Sequence, residues 1–199
     1  MKYYAVRKGR KTGIYATWDE CKAQVMGFSG AEYKKFENLY EAKSYMGLNS
    51  SESEKKSISK DEIIAYVDGS FNKESKAFGF GIVLIDHLGQ EEKLKGTLSH
   101  EEYSDHRNVA GEVFASMKAI ERAIDLNKKK IYIHFDYMGI KAWADGDWKA
   151  NKSLTKLYQD FVKEKRKIID IEFIKVLAHS NNKYNDIADR LAKDACGIK

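Results

Sequence analysis

Ile63-Ile-Ala-Tyr-Val-Asp-Gly-Ser70 is the stretch of this 199-residue chain that decides the fold. It is almost continuously apolar as far as Val67, which is typical of a central strand buried on both faces. The run then meets the carboxylate of Asp68, and the glycine behind it predicts a turn, so we expect the strand to stop there. An isolated carboxylate at the end of a buried strand is costly unless a cation neutralises it.

Two further strands are predicted directly after this one. Ala77 to Ile85 is a second apolar run, whose glycines permit close approach of backbone or ligand. Glu91 to Leu98 alternates in polarity and predicts a third strand. We expect the three strands to form an antiparallel meander.

The rest of the chain predicts helices and two more strands. Ala110 to Asn127 has helical periodicity, and the strand predicted over Ile131 to Asp136 lies parallel to the first because a helical crossover joins them. Ile171 to Ala178 predicts a last strand, and a final helix is expected to open near Asn185. The pattern indicates an α/β fold with a mixed sheet.

Three more acidic residues occupy settings like that of Asp68. Glu112 lies near the start of the predicted helix on the rim of its apolar face, Asp136 ends the parallel strand, and Asp189 falls in the first turns of the final helix. Parallel strands present their carboxyl ends at one sheet edge, so Asp68 and Asp136 are expected to be neighbours. We interpret the four carboxylates as one divalent metal site, although with 30 acidic residues in the chain four could reach element ends by chance.

Composition sets the bounds for this interpretation. The chain is 43% hydrophobic and 33% charged, so it can bury a core and carry a charged surface, and its length allows one domain with a small appendage. Its net charge of +5 makes a polyanion a plausible partner. The longest apolar run, Phe78 to Ile85, is too short to cross a bilayer, and we expect a cytoplasmic location. Cys21 and Cys196 have no metal-site spacing, which favours free thiols.

Residues 48–60 divide the chain. They are rich in Ser, Glu and Lys and nearly lack core-forming side chains, which is the composition of a flexible linker. The sequence thus predicts a front domain over residues 1–47 and a larger domain over residues 61–199.

The front domain is predicted to be a small three-stranded sheet with helices. Thr17-Trp-Asp-Glu20 fits a capping box that opens a helix running through Val25. A second helix is expected over Leu39 to Met46. The strands are expected over Tyr3 to Arg7, Ile14 to Ala16 and Tyr33 to Phe36.

Three motifs of the front domain, in Tyr4 to Gly13, Thr17 to Cys21 and Tyr33 to Phe36, resemble the hybrid-binding domain at the amino end of many type 1 ribonucleases H. The resemblance implies that Trp18 and Tyr33 stack on the DNA side of an RNA/DNA hybrid. It also implies that Lys34 and Lys35 bind phosphates and contact RNA 2'-hydroxyls, which agrees with the physics of such recognition. From composition alone, Trp18 as a core ring and the lysines as a solvated strand edge remain an alternative.

The larger domain resembles ribonuclease H itself from Ile63 to Ala195. The motifs follow in family order: Tyr66-Val-Asp-Gly-Ser70, Asn108 four residues before Glu112, Phe135-Asp136, His179-Ser, and Asn185 four residues before Asp189. The resemblance implies a mixed five-stranded sheet flanked by helices. It also implies an endonuclease that hydrolyses the RNA strand of RNA/DNA hybrids by a two-metal-ion mechanism, giving 5'-phosphate and 3'-hydroxyl ends.

The resemblance assigns each carboxylate a role. Asp68 bridges two Mg²⁺ ions, Glu112 and Asp136 complete the ion on the leaving-group side, and Asp189 completes the ion on the nucleophile side. Mn²⁺ is a possible substitute. Asp186 is an alternative last ligand, but the family spacing favours Asp189.

Other residues are assigned by the same resemblance. His179 matches the family's mobile histidine, with a role in proton transfer or product release, although a lone His in a polar loop is usually just solvated. Ser70, Asn72 and Asn108 are candidates for substrate binding, the two asparagines for reading RNA 2'-hydroxyls. His100 and His106 suggest a second metal site, but a polar loop is the favoured interpretation.

Three features depart from the family pattern. Tyr137-Met138 stands where many relatives have Ser-Gln, and Arg107 replaces a small residue before Asn108. Residues 137–148 leave no room for the basic helix that some relatives insert. We therefore expect the front domain to supply the grip on the hybrid.

Two other classes of protein would share some of these sequence features. A binding module that has lost catalysis need not keep four carboxylates, and a DNA-directed nuclease or transposase-like enzyme would not need the front domain. We expect an RNA/DNA hybrid as the partner, no membrane, and no obligate protein partner.

Overall fold

The computed structural model describes residues 2–36, 42, 45–46, 58–176 and 182–198. These residues form two compact units. The front unit contains the described residues up to Met46, and the larger unit contains those from Ile58 onward. Most of the predicted linker, residues 48–57, lies outside the described residues. Among the residues that are described, no helix is long and apolar enough to cross a membrane.

The front unit is a three-stranded antiparallel sheet with a helix. Its order is β2-β1-β3, and its elements are β1 (Tyr3–Lys8), β2 (Gly13–Tyr15), α1 (Trp18–Val25) and β3 (Glu32–Phe36). The capping box predicted from the sequence is present: the Thr17 hydroxyl accepts from Glu20 N–H, and the Glu20 carboxylate accepts from Thr17 N–H at 3.1 Å. Of the predicted helix over residues 39–46, Ala42 and Tyr45 have helical backbone, and the rest apart from Met46 lies outside the described residues.

The larger unit is built on a five-stranded mixed sheet, as predicted. Its order is β6-β5-β4-β7-β8, with β4, β5 and β6 antiparallel and β7 and β8 parallel to β4. The strands are β4 (Glu62–Phe71), β5 (Phe78–Ile85), β6 (Glu91–Leu98), β7 (Lys130–Phe135) and β8 (Asp170–Lys175).

The helices of this unit are α2 (Asn108–Asp125), α3 (Gly139–Asp145), α4 (Ser153–Lys165) and α5 (Lys183–Ala195), and a 3₁₀ helix spans Glu101–His106. The last helix starts before the predicted Asn185 because the Asn182 side chain accepts from the N–H groups of Tyr184 and Asn185 and caps it. The last strand ends at Lys175, earlier than predicted, and residues 177–178 lie outside the described ones.

The predicted end of the central strand is wrong. β4 does not stop at Asp68 but continues through Gly69 to Phe71, paired with β5 along this stretch. Gly69 is needed for space rather than for a turn: a Cβ there would lie 2.2 Å from Glu112 N and 2.3 Å from Asn108 O. Asp68 therefore projects from within a paired strand, and the first turns of α2 press against the strand beside it.

Glycines also let α5 approach the sheet. A Cβ on Gly79 would lie 2.1 Å from the Ala192 carbonyl oxygen, and one on Gly81 would lie 2.0 Å from that of Ala188. The close approach predicted for these glycines is therefore one of backbone to backbone. It fixes α5, and with it Asp189, against β4 and β5.

Candidate active site

Three of the four predicted carboxylates lie together. Asp68 projects from β4, Glu112 from the second turn of α2, and Asp136 directly follows β7. One carboxylate oxygen from each lies within 4.8 Å of the others. Parallel pairing of β4 with β7 brings the two aspartates to one region of the sheet, and the Gly69 contact brings Glu112 to them.

Two members of this cluster are buried. Asp68 is 8% exposed and Glu112 is 6% exposed, so Glu112 lies deeper than the rim position that the helical pattern predicts. The physical reason is the close packing of α2 on β4, which periodicity within one helix does not reveal.

Burial and mutual repulsion change the acidity of both groups. Desolvation, and then the charge of Asp136, raise the pKa of Asp68 to about 7, against the lowering effect of the Gly69 N–H bond. Desolvation, followed by the charges of Asp136 and Asp68, raises the pKa of Glu112 to about 9. Perturbed carboxyl groups of this kind concentrate at functional sites.

The hydrogen bonds of the cluster leave part of it unsatisfied. Asp68 Oδ1 accepts from Gly69 N–H at 2.6 Å, and the Tyr137 N–H donates to Glu112. Glu112 Oε2 is buried and, within the described structure, has no hydrogen-bond partner. A buried acceptor without a partner is rare in folded proteins, and a bound cation would satisfy it.

The donor set fits a hard divalent metal. Three carboxylates converge from three different elements, and all of the donor atoms are oxygens. Mg²⁺ and Mn²⁺ prefer such ligands, and a bound cation would offset both the burial and the mutual repulsion that raise the two pKa values.

Asp189 belongs to the same electrostatic environment without joining the three-residue cluster. Its charge raises the pKa of Asp68, whereas the alternative ligand, Asp186, has no such effect among the causes of that shift. Asp189 lies on α5 and accepts a hydrogen bond from Lys193 at 2.7 Å, one helical turn further on.

Lys193 is a residue of this region that the sequence analysis missed. Its charge lowers the pKa of Asp68, and the Asp189 contact raises the pKa of Lys193 itself. The spacing of four residues on a predicted helix would have revealed the pair.

Four other site residues were predicted, and three of them lie in the described part of the chain. Ser70 is buried in β4, and Asn108 is the exposed first residue of α2. The Asn72 amide is already engaged, since its oxygen accepts from Glu74 and Ser75 N–H and its nitrogen donates to the Cys196 carbonyl at 2.9 Å. His179 lies outside the described residues.

The structure also shows the conformation and surroundings of the residues that depart from the family pattern. Arg107 is exposed and precedes α2 with φ 49° and ψ −128°, a conformation that non-glycine residues rarely adopt. Tyr137 packs with two other rings, at 5.8 Å from Trp143 and 6.4 Å from Trp148. Met138 is 38% exposed beside them.

In the front unit, three of the residues predicted to bind nucleic acid lie on β3, and the fourth, Trp18, packs against one of them. Trp18 and Tyr33 are exposed, with ring centroids 5.8 Å apart. Lys34 and Lys35 are exposed on β3. Tyr4, which the sequence analysis did not single out, extends the pair to three rings at 5.6 Å from Trp18.

Comparison with known proteins agrees with both units. Residues 2–46 match the model of the ribonuclease H1 N-terminal domain, and residues 60–197 match that of RNase H. Human ribonuclease H1 is 28% identical over an aligned length of 259 residues, covering 96% of this chain and 88% of its own. A ribonuclease H of Saccharomyces cerevisiae is 64% identical over 45 residues, covering 23% of this chain and 13% of that protein.

Solved structures share the fold of the larger unit. RNase H1 from the archaeon Halobacterium salinarum superposes with a TM-score of 0.58 at 22% identity, covering 68% of this chain and 98% of that one. LC11-RNase H1, solved in complex with an RNA/DNA hybrid, gives 0.54 at 16% identity, covering 67% and 98%. Since the RNase H model spans most of the residues and the N-terminal model precedes it, this chain belongs to the ribonuclease H family, as a type 1 enzyme with an amino-terminal hybrid-binding domain.

Proposed function

We propose that this chain hydrolyses the RNA strand of RNA/DNA hybrids and that Asp68, Glu112, Asp136 and Asp189 hold two divalent cations for the reaction. The observation that carries the proposal is the cluster of three carboxylates, two of them buried, with the unpartnered Oε2 of Glu112. The N-terminal match, and the hybrid bound to LC11-RNase H1, support the choice of substrate.

The four carboxylates divide between the two ions. We assign Asp68 to both ions, Glu112 and Asp136 to the ion on the leaving-group side, and Asp189 to the ion on the nucleophile side. Mg²⁺ is the expected cation and Mn²⁺ a substitute, because every donor is an oxygen. When bound, the ions would supply Lewis acidity at the scissile phosphate and lower the pKa of the attacking water. The expected products carry 5'-phosphate and 3'-hydroxyl ends.

The protein's own groups hold and move protons. Asp68 and Glu112 keep their protons more tightly than ordinary carboxyl groups, so cation binding near neutral pH should release protons from them. We assign proton transfer or product release to His179.

Substrate contacts are assigned to both units. Ser70, Asn72 and Asn108 are proposed to contact the hybrid near the carboxylates; the second amide hydrogen of Asn72 remains for a 2'-hydroxyl, since one donates to Cys196. Trp18, Tyr33, Lys34 and Lys35 are proposed to bind the hybrid in the front unit. On this assignment, residues 1–47 form the domain that binds the hybrid, residues 48–60 form a flexible linker, and residues 61–199 form the catalytic domain.

The test is cleavage of three duplexes of matched sequence, RNA/DNA, RNA/RNA and DNA/DNA, with Mg²⁺. The proposal predicts cleavage of the RNA/DNA hybrid alone, in its RNA strand, with 5'-phosphate products. Cleavage of DNA/DNA would identify a DNA-directed nuclease instead. Tight hybrid binding without cleavage would identify a binding module.

A further inference from the structure

The ion pair between Asp189 and Lys193 places an ammonium group against one of the four proposed metal ligands. Lys193 Nζ lies 2.7 Å from Asp189 Oδ2, with the two side chains 47% and 39% exposed. Both residues lie on α5, which the glycines of β5 hold close to the sheet.

This lysine acts on more than its direct partner. The hydrogen bond to Asp189, and then the charges of Asp189 and Asp68, raise the pKa of Lys193, and the charge of Lys193 partly opposes the rise in the pKa of Asp68. The ammonium group therefore contacts Asp189 and interacts electrostatically with Asp68, two of the carboxylates that are proposed to hold the ions. Two cations that share one set of carboxylates repel each other.

A matched pair elsewhere in the same unit shows what is particular to this one. Lys118 Nζ lies 2.8 Å from Glu121 Oε2 on α2, and these side chains are 52% and 39% exposed. Exposed pairs of this geometry add little to stability. The two pairs differ in that only Lys193 influences Asp68, so its effect should appear in ion binding rather than in folding.

We infer that Lys193 is a positioning residue of the metal centre, whose ammonium holds the Asp189 carboxylate and competes with the ion that Asp189 would bind. The inference rests on the proposed function. It implies an order: the cluster of Asp68, Glu112 and Asp136 takes up its ion first, and the ion that depends on Asp189 binds second and more weakly. At low cation concentration the Lys193 ammonium would neutralise Asp189 instead of that second ion.

The experiment is a Mn²⁺ titration of the full chain, with free Mn²⁺ measured by electron paramagnetic resonance. Wild type should bind two ions with unequal Kd. Lys193→Met keeps the length of the side chain without its charge and should lower the weaker Kd about threefold to tenfold, leaving the tighter one unchanged. Lys193→Arg and Lys118→Met should leave both within twofold. In Asp189→Asn the weaker event should be lost, and adding Lys193→Met should not restore it.

Several outcomes would overturn the inference. These are an unchanged weaker Kd in Lys193→Met, an equal change in both Kd values, or an equal effect of Lys118→Met. If one of these outcomes occurs while wild type still binds two ions and cleaves the hybrid, only the inference about Lys193 fails, and the proposed function is unaffected. A wild type that binds one ion or none overturns it together with the two-ion proposal.

The Mg²⁺ dependence of hybrid cleavage gives a second readout on the same variants. The Mg²⁺ concentration at half-maximal rate should fall in Lys193→Met and stay near the wild-type value in Lys118→Met. A rise in that concentration would contradict competition and indicate that Lys193 only orients Asp189.

Discussion

At the scale of single residues, the site contains two buried carboxyl groups, Asp68 and Glu112. Asp68 and Glu112 have raised pKa values because burial and neighbouring charges disfavour their ionised forms. A carboxyl group whose pKa is raised by folding stabilises the folded state fully below its unfolded pKa, near 4. That stabilisation is lost as pH rises through the folded pKa.

This linkage predicts how the chain responds to pH without divalent cations. With a chelator present, stability from these two groups should fall between about pH 4 and pH 9, the range set by their unfolded and folded pKa values. Glu112→Gln removes the larger shift, so the variant should be more stable than wild type at pH 9 by about 1 to 3 kcal/mol and by less at pH 5. Urea unfolding at both pH values measures the difference.

Glu121→Gln is the control, because it makes the same change on the exposed face of the same helix. It should alter stability by less than about 0.5 kcal/mol at either pH. A Glu112→Gln variant that is less stable than wild type at pH 9 would show that Glu112 is not held as a strained carboxyl group.

At the scale of elements, the site depends on how closely α2 crosses β4. A Cβ on Gly111 would lie 2.3 Å from the Gly79 carbonyl oxygen and 2.8 Å from the Gly69 Cα. Three glycines thus meet where α2, β4 and β5 pack together, and Glu112 is the residue after one of them. Positioning of the carboxylate and packing of the helix are therefore one structural feature.

Gly111→Ala tests this feature. The added methyl group must displace backbone, so the variant should lose about 1 to 3 kcal/mol of stability. Because Glu112 moves with the helix, hybrid cleavage should fall by more than about tenfold in the fraction that remains folded. Thermal unfolding and cleavage rates measured below Tm separate the two effects.

Gly13→Ala is the matched control, since its Cβ would meet only ordinary contacts, at 3.5 Å or more from Tyr15. It should change neither Tm nor the rate appreciably. Full cleavage by a stable Gly111→Ala variant would mean that the close crossing is not what places Glu112.

The elements also show where prediction from sequence succeeds. The strands of the meander follow from runs of apolar or alternating residues, which are local signals. The end of β4 was predicted wrongly because a glycine after a strand is typical of a turn. In the structure, Gly69 instead makes room for the backbone of Asn108 and Glu112, which are distant in sequence. α3 and α4 were not predicted, although Leu154, Tyr158 and Val162 form a buried i, i+4, i+8 stripe that would have indicated α4.

At the scale of the whole molecule, the chain combines a unit that carries exposed rings and lysines with one that carries buried carboxylates. Motif order predicted two units and four acidic residues, because each motif is a short contiguous pattern, and the structure brings three of those residues together: Asp68, Glu112 and Asp136. The burial of Glu112 and the place of Tyr4 depend on packing between elements, and the sequence patterns did not reveal them. The pairing of Asp189 with Lys193 lies within one helix, and its spacing of four residues is a sequence signal that the prediction did not use.

The front unit should govern hybrid affinity more than chemistry. Lys34→Ala with Lys35→Ala removes two exposed cations from β3. Hybrid affinity should fall, and the slope of log K against log salt should lose about one per lysine. The single-turnover rate at saturating enzyme should stay within about threefold of wild type, and processivity should fall.

Lys118→Ala with Lys167→Ala is the control, because both lysines are exposed and lie in ion pairs of the larger unit. This variant should keep the affinity and the salt slope of wild type. Unchanged hybrid binding in the β3 variant would place the grip on the hybrid elsewhere in the chain.

The most direct test of the metal centre is the single-turnover rate of hybrid cleavage by Asp136→Asn with saturating Mg²⁺. Asp136 supplies one of three converging carboxylates, so its neutral amide should reduce the rate by about a thousandfold or more while circular dichroism remains that of wild type. A folded Asp136→Asn variant that cleaves the hybrid within about tenfold of the wild-type rate would contradict the account.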